Sequence, residues 1–367
     1  MKKILLLALV CATVAFGCGS PLEKSMEKLK QSALAYDEAT QALEKANKAP
    51  EKSRGMFMAE VEKYKEQAIK LGKEAIALDP TNLSAYFNTA VMMQAIAKPT
   101  KTQFADLDLF MEAIELYEKG LAAMPPPPYT TDSLKNFYTK FNNSLSICYR
   151  DLSDLYATEK FADKDINKSL DYAKKSAEHA ERVKDYLAVN AATASFKYAG
   201  LLHKYKRWNE AVPAFEKALE LHKFAYERTD NPDVVANLRD IGLFYAESVQ
   251  KQAEANGVKM KSLGKDDKGN EIKVPDLDAA TIDKVLNVYQ ESLKIDPHNW
   301  DLYAAMFQFA YDYGKEKIVL DLLKNAVEQK KDDARGYEVL GTLLENMGKK
   351  AEAAPYIKKY KELSGKK

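Results

Sequence analysis

Apolar residues along this 367-residue chain return every three or four positions, the spacing that gathers side chains on one face of an α-helix. Leu22, Met26, Leu29, Ala33, Tyr36, Ala39 and Leu43 keep that rhythm, and the pattern predicts a helix over 20–48 with these seven on its apolar face. Ser20 and Pro21 suit its N-cap and first turn, and Ala49-Pro50 breaks it. A second helix is predicted over 51–78, stopped by Asp79-Pro80. Similar spacing recurs through Phe137–Leu155, Leu170–Ala177, Phe196–Leu202, Ala211–Ala218 and Leu238–Tyr245. Two stretches depart from it. Pro125–Pro128 is a stiff extended spacer, and an insertion around Lys98-Pro99-Thr100-Lys101 parts two helices. Over 257–277, two short alternating runs flank Asp266-Asp267-Lys268-Gly269-Asn270, which predicts a small β-hairpin.

The helical rhythm has a longer period on top of it. Tyr337, Leu340, Gly341 and Leu344 precede Ala353 and Ile357. Thirty-four residues earlier the same slots hold Tyr303, Met306, Phe307 and Ala310, then Val319 and Leu323. Another step back gives Val285, Tyr289 and Ser292. This spacing resembles the tetratricopeptide repeat (TPR), in which each unit is two antiparallel helices. The resemblance implies an all-α fold, a TPR-like α-solenoid of about six to seven helix pairs carrying the hairpin as an insertion. It is strong over 279–367 and 192–221 and weak over 130–182. The chain is expected to divide into a signal peptide at 1–17, N-terminal helices and first units at 18–128, middle units at 129–231 and C-terminal units at 232–367.

The N-terminus reads as an export signal. Lys2 and Lys3 precede an apolar run, Ile4 to Val14, that is too short to span a bilayer. Small residues then lead to Cys18. This resembles a bacterial lipoprotein signal, which implies lipidation of Cys18. Ala15 and Phe16 depart from that family's usual leucine and small residue, and an ordinary cleavage site fits the same bond. The expected location is the bacterial cell envelope, as an outer membrane lipoprotein or a periplasmic protein. Of the three cysteines, Cys11 leaves with the signal and Cys18 is modified, so Cys148 is expected as a buried small hydrophobe and not as half of a disulfide.

Charge changes the picture little. With 55 Lys+Arg against 54 Asp+Glu, the net charge of +1 offers no broad basic field for nucleic acid. The four histidines form no His-Glu-x-x-His pair, and no nucleophile elbow, phosphate loop or Cys-x-x-Cys occurs. His298, in an inter-repeat turn, is expected to face solvent. No cofactor, metal or enzymatic activity is expected.

What remains is binding. In TPR proteins the first helix of each pair lines a concave groove. Carried over place by place, the resemblance implies groove candidates Phe87, Gln94, Phe196, His203, Lys204, Arg239, Gln308, Tyr311 and Arg335. The expectation is an exported scaffold, lipid-anchored through Cys18, that holds a protein partner in this groove. The alternative is a ligand- or solute-binding lipoprotein with an aromatic pocket.

Overall fold

The computed structural model describes residues 19–98, 104–265 and 268–365. The expected signal at 1–17, Cys18, Pro99-Thr100-Lys101 and the turn residues Asp266-Asp267 lie outside the described residues. Among those described are fifteen helices and one two-stranded sheet. The helices are α1 (Pro21–Lys48), α2 (Glu51–Leu78), α3 (Leu83–Ala97), α4 (Leu107–Ala122), α5 (Asp132–Ala157), α6 (Ile166–Arg182), α7 (Ala188–Lys204), α8 (Trp208–Tyr226), α9 (Pro232–Ala236) and α10 (Leu238–Ala255). After the hairpin β1 (Met260–Lys265) and β2 (Glu271–Pro275) come α11 (Ala279–Ile295), α12 (Trp300–Asp312), α13 (Glu316–Gln329), α14 (Ala334–Asn346) and α15 (Lys350–Ser364). Two compact units result, Met1–Leu145 and Ser146–Lys367, and the division falls inside α5.

In the first unit, Ser20 opens α1 with a capping box: its hydroxyl accepts from the Glu23 amide while the Glu23 carboxylate accepts from the Ser20 amide. Pro50 then turns the chain back into α2. The two 28-residue helices meet along small side chains. Ser25, Ser32, Ala39 and Ala46, seven apart, are buried on α1, opposite Val61, Ala68 and Ala75, seven apart on α2. Seven-residue spacing keeps one narrow stripe in register with a partner helix. Ser25 Oγ donates to the Ala75 carbonyl at 2.6 Å, and Ser32 Oγ to the Ala68 carbonyl at 2.7 Å. This corrects the expected face of α1. Leu29 and Ala39 are buried, but Leu22, Met26, Ala33 and Leu43 are exposed. Burying serine and alanine brings two helices closer than leucine would, and the larger residues are displaced to the flank.

The 15-residue α3 packs on this hairpin, Ala85 beside Leu29 and Ala75, and Met92 beside Ala35 and Ala68. Closing the unit, Gly120 of α4 lies against Phe141 of α5.

In the second unit, α5 and α6 repeat the serine device. Ser176 Oγ donates to the Ser146 carbonyl at 2.8 Å and Ser169 Oγ to the Ser153 carbonyl at 2.9 Å. Cys148 of α5 is fully buried, as expected. The largest core runs from Leu170 to Ala353, with Phe215, Tyr245 and Tyr289 among its biggest fully buried rings. Burying the phenols of Tyr245 and Tyr289 raises both above the ordinary tyrosine value, so they stay neutral; the Tyr245 hydroxyl donates to Glu216 at 2.9 Å.

The β-hairpin forms where predicted. Lys261 pairs with Val274 and Lys265 with Glu271, with a bulge between Ser262 and Gly264. Two strands alone are marginally stable in water. This pair is rooted by buried Val274 and Leu277 and by Tyr313 at the end of α12. The Tyr313 hydroxyl donates to the Pro275 carbonyl at 3.1 Å and accepts from Gln250 at 3.3 Å, and Lys261 Nζ lies 4.3 Å from its ring centre.

Candidate functional site

The predicted groove residues fall into two groups. Phe87, Gln94 and Phe196 are engaged in packing between helices. Phe87 lies 5.8 Å from Tyr117 and 5.6 Å, edge-on, from Phe141, all within the first unit. Gln94 accepts the Tyr117 hydroxyl at 2.9 Å. Phe196 sits against Phe215 and His222. Sequence places give a direction from the helix axis, but a large ring at that place reaches the neighbouring helix.

The other six belong to first helices of the second unit. In that unit α7 packs on α10, α10 on α12 and α12 on α14. On α7, His203 is wedged against Phe244, 4.7 Å between ring centres, with Trp208 beyond. Its Nδ1 is 3.1 Å from Ser248 Oγ and its Nε2 is 3.4 Å from Glu247. Burial lowers the imidazole below its ordinary value, opposed by the Glu247 charge. Lys204 and Arg239 are exposed, and Arg239 pairs with Asp240 at 3.0 Å.

On α12, Tyr311 is 51% exposed, with its ring stacked on buried Phe307 at 5.9 Å. Gln308, one turn earlier on the helix, donates to Asp312 at 3.1 Å. Half-burial raises the Asp312 carboxyl; the Gln308 hydrogen bond and the Lys261 charge oppose the shift. On α14, Arg335 donates to Asp301 of α12 at 2.9 Å and to Glu338 at 2.6 Å. Those two carboxylates hold the guanidinium above its ordinary value. Exposed ion pairs of this kind are worth under about 1 kcal/mol to the fold, so they fix side-chain direction more than stability. The face therefore offers one presented aromatic, Tyr311, among fixed charges of both signs.

His298, expected in solvent, is half-buried: its ring lies 5.5 Å from Trp300 and its Nε2 is covered and unpaired. Sequence reasoning also missed Phe244, although it lies within the predicted helical stretch Leu238–Tyr245. Asp312 and Glu338 are groove places that the repeat resemblance also implies, and both are engaged here.

Among the described residues, no group of three or more His, Cys, Asp or Glu is placed to hold a metal ion. No described helix is long and apolar enough to cross a membrane. Two open surface depressions, one along α2 beside Ile69 and Lys73 and one between α14 and α15 beside Glu345 and Ile357, have no large aromatic lining.

One packing relation recurs across pairs. A Cβ placed on Gly341 of α14 would meet Ile357 of α15 at 2.8 Å, and one on Gly242 of α10 would meet Tyr289 of α11 at 2.7 Å. Ile357 and Tyr289 occupy the same slot, two 34-residue periods apart, although the hairpin separates Gly242 from its partner. The fold is TPR-like. No protein-family model matches the chain, and no curated protein matches it. Among solved structures, YrrB, described as a TPR protein with an unusual peptide-binding site, is similar over 73% of this chain and 96% of its own, at 13% identity and a TM-score of 0.32. A double mutant of MamA RS-1 is similar over 60% of this chain and 94% of its own, at 14% identity and a TM-score of 0.33. A tetratricopeptide repeat protein from Parabacteroides merdae is similar over 89% of this chain and 93% of its own, at 13% identity and a TM-score of 0.27.

Proposed function

We propose that the protein is a scaffold that holds a protein partner on the first-helix face of its second unit, with no bond-making step. The observation that carries this reading is Tyr311. A tyrosine stacked on a buried ring, exposed over half its surface and flanked on its own helix by Gln308 and Asp312, with the fixed Arg335 against the other end of α12, has the composition of an interface anchor. The charges around it are already held by neighbours, so little side-chain freedom is lost on binding. The mixed, open face favours a polypeptide over a small solute, since a solute site is concave and encloses most of its ligand.

The scaffold acts from the cell envelope, exported by residues 1–17 and anchored through a lipid on Cys18. The signal-like N-terminus supports this part of the reading. One acyl chain holds a protein on a membrane only marginally, and the several chains of a bacterial lipoprotein make the anchor stable.

A photoreactive amino acid at position 311 tests the face in cells. One discrete protein adduct, lost in the Arg335→Glu background, is expected; no adduct, or a ladder indifferent to Arg335, overturns it. Palmitate labelling of wild type against Cys18→Ala tests the anchor, and label that persists in the variant or is absent from both retires it.

A further inference from the structure

The α1 flank that the serine seam leaves uncovered is a second, separate surface. Leu22, Leu29, Tyr36 and Leu43 stand seven apart on one side of the seam. Leu29 packs with Ala85, and Tyr36 packs against the cluster holding Met92, so this row is the one that meets α3. But α3 has 15 residues and α1 has 28. The row outruns it at both ends: Leu22 is 51% exposed and Leu43 39%. Met26, one turn along, is 42% exposed. On α2, Met58 stands two heptads before Gly72, whose Cβ position faces Thr89 of α3, and it is 38% exposed. Among the described residues, the surface that α3 uses thus continues, exposed at both ends, along about 32 Å of helix between Leu22 and Leu43.

The geometry points to a partner's amphipathic α-helix with lysine or arginine beside its apolar stripe as the occupant of this flank. Three observations carry it. The apolar positions repeat at the helical period over three heptads, which a straight helix matches and an extended strand does not. The row continues an interface that already takes a helix, α3. Its outer rim is Glu23, Lys30, Asp37 and Glu44, seven apart and all exposed, three acids to one base. That rim attracts a cationic helix and repels an anionic lipid surface, to which amphipathic helices bind through lysine and arginine. Exposed methionines at Met26 and Met58 give the flank side chains that adapt to a partner's shape.

The test uses the full chain and two labelled 21-residue synthetic helices with the same leucine stripe, one flanked by lysine and one by glutamate. Fluorescence anisotropy at low salt is expected to show the lysine peptide binding at least tenfold tighter. Met26→Glu and Leu43→Glu, both at exposed positions, are expected to weaken it at least tenfold with the melting curve unmoved. Tyr311→Ala is expected to leave it unchanged, which separates this surface from the second-unit face. Equal binding of the two peptides, or full binding by Leu43→Glu, overturns the proposal. So does self-association in sedimentation that Leu43→Glu abolishes, which makes a second copy the occupant. Flotation on phosphatidylglycerol–phosphatidylethanolamine vesicles that Met26→Glu abolishes overturns it too, in favour of a membrane.

Discussion

Ser25 and Ala75, fifty residues apart, are joined by a 2.6 Å hydrogen bond from a serine hydroxyl to a backbone carbonyl. Ser32 and Ala68 repeat it one heptad along, and Asn82 donates to Ser25 Oγ at 2.9 Å, so the start of α3 is tied to the same serine. The hydroxyl is small enough for the helices to close and polar enough to be satisfied by the carbonyl opposite. Ser32→Ala keeps the close approach and loses one bond, and is expected to cost about 1 kcal/mol. Ser32→Leu overfills the seam and is expected to cost about 2–3 kcal/mol. Urea unfolding of the two variants beside wild type measures both, and equal costs would show that the hairpin is not held at closest approach.

Acid should weaken the second unit. His179 is buried against Tyr149 and pushed down to about 4, first by desolvation and then by Arg182 and Lys175. Burial lowers His222 and His203 in the same direction. A histidine that stays neutral in the fold binds fewer protons than the unfolded chain. Its contribution is therefore intact above pH 6.5 and is lost as pH falls towards 4. For His179 the loss is on the order of 3 kcal/mol. His179→Phe, which keeps the ring stack and removes the titration, is expected to flatten the decline of melting temperature between these limits.

Tyr313 holds the hairpin at its root. Tyr313→Phe loses the hydroxyl bonds to Pro275 and Gln250 and keeps the ring beneath Lys261, at a cost of about 1 kcal/mol. Faster amide exchange over 260–275, with the helices unchanged, is the expected record. Tyr313→Ala also removes the ring and is expected to open the hairpin to protease.

Arg335→Glu sets a third carboxylate beside Asp301 and Glu338. Since the pairs it breaks are exposed, stability is expected to fall by about 1 kcal/mol or less. Partner capture by the second-unit face is expected to fall at least tenfold, as measured by titration once a partner is in hand. A large drop in melting temperature would instead make Arg335 structural.

Helix limits were legible because proline punctuates them. Pro50 and Pro80 bracket a predicted helix over 51–78, which is Glu51–Leu78 in the structure. The hairpin was legible from two alternating runs around a glycine turn. The buried side of α1 was not, because hydropathy ranks Leu22 and Met26 above Ser25 and Ser32 although the serines make the seam. For the second-unit face, the repeat pattern located the helices but not the reach of each side chain. Phe196 and Tyr311 are both aromatics at groove places; one packs on the Phe215 and His222 rings and the other is presented to solvent.

Tyr313 lies 38 residues beyond the Pro275 carbonyl that it holds. As the chain leaves the ribosome, both strands of the inserted hairpin emerge before the ring and hydroxyl that fasten them. That fastening must wait for α11 and α12 to be synthesised, so in the newborn protein the insertion gains its final anchor well after its own strands are made.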